Sequence, residues 1–427
     1  MAEADPAKEA TGEFLRRHFR RHYETTRRSL PDRFGRREFG FMFFNAAMVI
    51  RHLGFSRESD LNDFFVRRVP AHAYYSSAYY DRPGAPTMEE KGWLGADLVF
   101  DLDADHLPNA NKMTYPEMLE AIRLRIVKLY DEFLGQDFGF EDRSMRLVFS
   151  GGRGYHIHVF DERVWSLGSH ERREIVDWIT AKGYDFRSAF KETAFDAKEF
   201  RGRTRVKKRV VSPPSSAPGW RGKIARGLVT LAKTMEPMEP DEAIRFLSSF
   251  DGVSENEATN LYSNLFKSRG RPPHEVRGVD LLLAGGPIEV LTDRNRDALI
   301  DVVVQLQQIR LDERGGVPLE GIVQRGDTDE PVTSDIKRLI RLPSSLHGKT
   351  GLQVMLLTRD EVDDFRPLRD AVPPTWTEEA IPMRLANRIN LEIRDESFNL
   401  EPGVSKVPQY LAIFLAARGL ATVAPEA

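Results

Sequence analysis

Ala96-Asp-Leu-Val-Phe-Asp-Leu-Asp-Ala-Asp105 reads as an apolar strand ending in carboxylates. Side chains alternate across a strand with period two, so Asp101 and Asp103 point the same way while Leu98, Phe100 and Leu102 pack behind them. Two like charges this close repel unless a cation lies between them, and hard divalent ions such as Mg²⁺ or Mn²⁺ prefer oxygen ligands. The stretch therefore predicts a metal-binding strand end, against the blander reading of a polar turn.

Downstream, a polar loop with Pro108 leads into an amphipathic helix over about Pro116 to Leu134, whose apolar positions recur every three and four residues. Met145-Arg-Leu-Val-Phe-Ser150 and Tyr155-His-Ile-His-Val-Phe160 flank Gly151-Gly-Arg-Gly154 and predict a hairpin with His156 and His158 on one face. Residues 169–192 predict a helix. Upstream, Phe14, Leu15, Phe19 and Tyr23 have helical spacing among arginines. Arg37–Phe44 and Ala47–Arg51 are β-rich with Asn45 at the turn between them, and a short helix follows near Ser59 to Arg68. Arg51 closes an apolar run, where a strand end presents it to a cleft. The aromatic run Tyr74–Tyr80 and a Pro/Gly loop lead back into the acidic strand.

The basic run Arg201–Arg209 and the Pro/Ser-rich loop after it read as a linker. Residues 223–310 carry several helical patterns, among them Asp241–Phe250 and Asp293–Leu311, and predict a mostly helical insertion into a core made of residues 1–222 and 311–427. A strand over Leu352–Leu357 and an apolar helix near Gln409–Arg418 close the chain.

Composition sets limits. The 62 basic and 65 acidic residues among 427 give a net charge of -3, so any grip on phosphate comes from local patches and not from a globally basic surface. With no cysteine, the chain forms no disulfide, Cys-based zinc site, iron–sulfur cluster or thiol nucleophile. No apolar run approaches the ~20 residues needed to span a bilayer, and the N-terminus lacks a signal-peptide core, so a cytoplasmic protein is expected.

Two further segments belong with the acids: Ser150, Arg153 and His156 around the glycine turn, and the late block carrying Arg338, Arg341, His347 and Lys349. Glycines let backbone approach an anion, and arginine offers planar donors to phosphate oxygens. Together they predict a triphosphate cradle beside a metal pair, in which two ions ~3.5–4 Å apart assist an in-line nucleotidyl transfer. Gly348-Lys-Thr350 imitates the end of a P-loop, but Pro343 stands where its first glycine belongs, so a Walker-type site is not expected. Gly151–Gly154 sits inside a hairpin and lacks dinucleotide-fingerprint spacing.

Phe100-Asp-Leu-Asp103, Ser150-Gly-Gly-Arg-Gly-Tyr-His156 and Arg338-Leu-Ile-Arg-Leu-Pro-Ser-Ser-Leu-His-Gly-Lys-Thr-Gly351, in that order, resemble the small catalytic subunit of archaeal and eukaryotic replicative DNA primase, most closely its archaeal branch. The resemblance implies an α/β (α+β) fold, a catalytic core of largely antiparallel sheets flanked by helices, and synthesis of short primers on single-stranded DNA from nucleoside triphosphates. By position, Asp101 and Asp103 match the paired metal-binding acids and Asp329 the third, with Asp335 a close competitor. Ser150, Arg153, His156, Arg341 and His347 match nucleotide contacts, and Arg51 an arginine near the triphosphate; Arg338 and Lys349 read as further phosphate cations. The implied cofactor is Mg²⁺ or Mn²⁺, and the implied partner an iron–sulfur-containing large subunit. The family's usual zinc cluster has no cysteines here, so no structural zinc is expected. The rival readings are a primase–polymerase of repair or plasmid replication, a metal-dependent phosphoesterase and a catalytically silent template-binding subunit.

Overall fold

The structure is a computed structural model that describes residues 6–44, 46, 48–107, 110–200, 203–268, 275–284, 287–288, 295–303, 305 and 328–425. These form two compact units: Met1–Gly135, Gly139–Asp177 and Asp327–Ala427 in the first, Gln136–Phe138 and Trp178–Gly326 in the second. The sequence reading drew this division at 223 and 310.

The first unit opens with helix α1 (Pro6–Thr25), whose Phe14, Leu15, Phe19 and Tyr23 are all buried, as their spacing requires. Strands β1 (Phe39–Met42) and β2 (Ile50–Leu53), helix α2 (Glu58–Arg68) and strand β3 (His72–Ser76) follow. Asn45, expected between β1 and β2, lies outside the described residues. Strands β4 (Ala78–Tyr80) and β5 (Trp93–Ala96) lead into β6 (Leu98–Asp103), the acidic strand. Helix α3 (Tyr115–Lys128) starts at a capping box in which Thr114 and Glu117 satisfy each other's backbone amides, and continues as a π-helix over Leu129–Gly135. Then come β7 (Met145–Phe149), β8 (Gly154–Val159) and α4 (Ser169–Ile179).

Two expectations fail at this point. The helix predicted to residue 192 stops at Ile179, and Lys191–Phe200 is instead strand β9. The basic run is no linker either: Arg203–Val211 forms strand β10, antiparallel to β9 in register from Phe200↔Arg203 to Lys191↔Val211. Pairing with the strand that follows overrides the helix-compatible charge pattern of residues 191–200. Strand β11 (Pro287–Ile288) adds to β10, which ties this hairpin to the second unit, whose helices α5 (Gly219–Met235), α6 (Pro240–Ser248) and α7 (Glu255–Phe266) supply its core. Residues 295–303 are helical, and the rest of the helix expected over Asp293–Leu311 lies largely outside the described residues.

The chain then returns to the first unit with strands β12 (Leu339–Arg341) and β13 (Met355–Leu357). These complete two antiparallel sheets, ordered β12-β3-β1-β2 and β13-β7-β8-β6. The root of β6 is clamped by buried polar groups. Arg37 meets Asp97 at 2.6 Å, the Tyr79 hydroxyl donates to the same carboxylate at 2.6 Å, and Arg172 donates to the carbonyls of Asp97 and Ala96 at 2.7 and 2.8 Å. Among the described residues, no helix is long and apolar enough to cross a membrane.

Candidate active site

A cleft of ≈ 600 Å³ in the first unit is bordered by the ends of β6 and β8, the glycine turn, β12 and the loop after it. Asp101 and Asp103 stand on its wall half-buried, with Leu102 buried between them, as the alternation of β6 demands. Opposite Asp103 in the register of β8 is Gly154, where a Cβ would come 2.5 Å from the Leu102 carbonyl oxygen. Only glycine lets the two strands approach this closely.

The hairpin carries His156 into the cleft, its Nε2 3.2 Å from Asp101 Oδ1. Its ring stacks on His158 with centroids 6.0 Å apart, and His158 Nδ1 lies 2.9 Å from the Tyr75 hydroxyl. His158 thus faces the same side as His156 but belongs to the interior, where burial holds its pKa well below the usual histidine value. In the turn, the Ser150 hydroxyl accepts from the amides of Gly152 and Gly154, both at 3.3 Å. Those two amides are therefore turned toward Ser150, whose hydroxyl hydrogen remains available as a donor. Arg153 reaches the wall while paired with Asp105 at 2.5 Å.

Arg341 is held from two sides. Its guanidinium lies 4.6 Å from the centroid of the Tyr74 ring and donates to His72 Nδ1 at 2.5 Å. The amide of Gly348 donates to the same nitrogen at 3.2 Å, so His72 acts as a double acceptor and is neutral. Burial, then the charges of Arg341 and Lys349, push its pKa down to about 3. Burial also lowers the pKa of Arg341. His347 packs edge-on to His72 at 4.8 Å and is held well below the usual histidine value by burial, then by Arg341, His72 and Lys349. The loop closes through Thr350, whose hydroxyl donates to the Gly151 carbonyl at 2.5 Å. Arg338, Arg341, His347 and Lys349 all reach the wall.

Arg51 is placed elsewhere. Its guanidinium binds the buried carboxylate of Glu38 at 3.1 and 3.2 Å, beside a Lys91–Glu38 pair at 2.9 Å, and it does not line the cleft. Asp329 precedes the short helix Glu330–Ser334, and its amide donates to the Asp101 carbonyl at 3.0 Å. Asp335 follows that helix and accepts the Lys337 amide at 2.9 Å. Sequence reasoning missed His72, Tyr74 and Thr350 as supports of this wall. The aromatic run at Tyr74 was the one visible signal, and it carried no chemistry until β3 paired with β12.

Hard carboxylate oxygens on one strand fit a divalent cation. Among the described residues no group of three or more His, Cys, Asp or Glu encloses a metal. Two acids facing a set of arginine and lysine side chains can bind a polyphosphate together with its cation.

Residues 100–357 match the family described as DNA primase small subunit. The chain is 36% identical over 416 residues to the DNA primase small subunit PriS of Methanothrix thermoacetophila, covering 97% of this chain and 99% of that protein. It is 37% identical over 423 residues to that of Methanocella arvoryzae (97% and 99%). It is 38% identical over 430 residues to that of Halobacterium salinarum (98% and 100%).

Proposed function

Because the chain belongs to the family of DNA primase small subunits, we propose that the cleft around Asp101 and Asp103 is where nucleotides are joined on a single-stranded DNA template. The protein is the catalytic subunit of a replicative primase, a template-directed nucleotidyltransferase. Each step forms a bond between a 3′-hydroxyl and the α-phosphorus of a nucleoside triphosphate and releases pyrophosphate. The observation that carries the assignment to this cleft is the meeting of Asp101 and Asp103 with Arg341, His347 and Lys349 on one wall, from segments more than 200 residues apart.

The enzyme uses a divalent metal, which we read as Mg²⁺ or Mn²⁺ held by Asp101, Asp103 and Asp329; when bound, it acidifies the attacking hydroxyl and stabilises charge on the transferred phosphate. Arg341, fixed by His72 and Tyr74, keeps its remaining donors for the triphosphate, and Lys349 adds a mobile point charge. Ser150 donates its hydroxyl hydrogen beside them. His347, neutral at physiological pH, hydrogen-bonds the phosphates without adding charge. His156 braces the Asp101 carboxylate. Arg153 and Arg338 border the same anion, while Arg51, expected near the triphosphate, is engaged by Glu38 away from this wall.

A small subunit has a partner subunit, and its substrates are DNA and nucleotides. We infer that the partner is the iron–sulfur-containing large subunit that the resemblance implies; a chain without cysteine holds no such cluster itself. The test is primer synthesis on single-stranded DNA with labelled nucleotides and Mg²⁺ or Mn²⁺, by the chain alone and with the large subunit. Synthesis that needs the metal and is lost in Asp101→Asn and Asp103→Asn supports the reading; synthesis retained in both variants ends it.

A further inference from the structure

The C-terminal helix Gln409–Ala417 ends at the cleft with Arg418 as its cap. The Arg418 guanidinium stands over the Tyr115 ring, 4.6 Å from its centroid. The Tyr115 hydroxyl in turn donates to the Gly152 carbonyl at 2.5 Å. One aromatic ring therefore fastens the end of the last helix to the glycine turn. Arg153 beside it is occupied by Asp105, whereas among the described residues Arg418 has no carboxylate partner. A guanidinium resting face-on against a ring keeps its N–H edge for a ligand. A cation at a helix C-terminus is favourable anywhere in the last turn, and that effect alone calls for no ring anchored to the turn.

Arg418 also alters the charge of the site. Arg153, Arg338, Arg341, Lys349 and Arg418 outnumber Asp101 and Asp103 on the wall, an excess that a polyphosphate neutralises. We propose that Arg418 is a further phosphate-binding residue for the triphosphate of the bound nucleotide, and that Tyr115 is the positioning residue that holds it against the glycine turn. The inference rests on the reading of the cleft as the nucleotide site.

The test is steady-state primer extension by the assembled heterodimer, alongside fluorescence anisotropy of single-stranded DNA at several salt concentrations. Arg418→Ala raises KM for the incoming nucleotide about 10-fold, the worth of one charge-assisted hydrogen bond, and leaves kcat within about twofold. Arg418→Lys gives an intermediate KM because it keeps the charge and loses the planar fork. Tyr115→Leu raises KM in the same direction, and Tyr115→Phe, which keeps the ring, raises it less. KM is independent of the fraction of enzyme that is folded, so loss of stability does not imitate the effect. An unchanged KM in Arg418→Ala overturns the proposal. So does weaker DNA binding with a shallower salt dependence, which assigns the contact to a nucleic-acid phosphate. Arg341→Ala is run in parallel: if it also leaves KM unchanged, the reading of the cleft falls, and if it alone raises KM, only the role of Arg418 falls.

Discussion

The amide of Asp329 donates to the carbonyl of Asp101 across 3.0 Å, which sets the residue before the helix Glu330–Ser334 against the acidic end of β6. Asp335, at the far end of that helix, already uses its carboxylate to accept the Lys337 amide at 2.9 Å. The expected ranking follows from this placement. Asp329→Asn should lower metal-dependent primer synthesis by roughly 10³-fold, as Asp101→Asn and Asp103→Asn do, because each removes several kcal/mol of charge stabilisation. Asp335→Asn should keep most of the activity. Initial rates of the four variants, with far-UV circular dichroism to confirm folding, decide the order, and a reversal would exchange the two acids.

Gly154 sets the distance between β8 and β6. A methyl group there would meet the Leu102 carbonyl oxygen at 2.5 Å and the Asp103 Cα at 3.2 Å, both backbone atoms that cannot rotate away. Gly154→Ala is expected to cost about 1–3 kcal/mol of stability. It should also move Asp103 and so depress synthesis well beyond the loss of folded protein. Urea denaturation beside single-turnover rates separates the two effects; wild-type rates in the folded variant would mean that the strands can part without disturbing the acid.

How much of this was legible in the sequence depended on how local each feature is. The acids of β6, the glycine turn and the shared face of His156 and His158 follow from period-two alternation within six residues, and the structure has that alternation. The partner of Arg51 is another matter, since Glu38 meets it only because β1 pairs with β2. His72 and Tyr74 became a support for Arg341 only when β12 joined β3, with Arg341 opposite Tyr74. Tyr115 and Arg418 are separated by most of the chain, and no local pattern links them. The strand at Lys191–Phe200 was hidden for a related reason: its composition suits a helix, and pairing with Arg203–Val211 decides otherwise.

His22 supplies a pH dependence. Its side chain is fully buried in α1, and burial, then the charge of Arg28, lowers its pKa to about 4. His18 is lowered to about 4 for the same first reason. Between the unfolded value near 6.5 and about 4 the unfolded chain binds protons that the folded chain does not, so stability is full above pH 6.5 and falls as pH drops through that window. Each tenfold difference in proton affinity is worth ~1.4 kcal/mol. Urea midpoints at pH 7.5, 6 and 5 should decline in wild type and decline less steeply in His22→Gln, whatever the variant's absolute stability. Identical slopes would remove His22 as a contributor.

Arg37 and Asp97 are both almost fully buried and meet at 2.6 Å at the root of β6, with Tyr79 on the other carboxylate oxygen. Arg37 also donates to the carbonyls of Asp32, Ser76 and Ser77, at 3.0, 2.9 and 2.8 Å, so its removal strands several polar groups at once. Breaking such a pair from one side leaves an uncompensated charge, and Arg37→Ala is expected to lose about 3–5 kcal/mol. Pairing Arg37→Met with Asp97→Asn removes both charges together and should cost less than the two single changes added. Urea unfolding of the singles and the double gives the coupling directly. Additive losses would mean that the backbone bonds of Arg37, and not its charge against Asp97, hold the entry to the acidic strand.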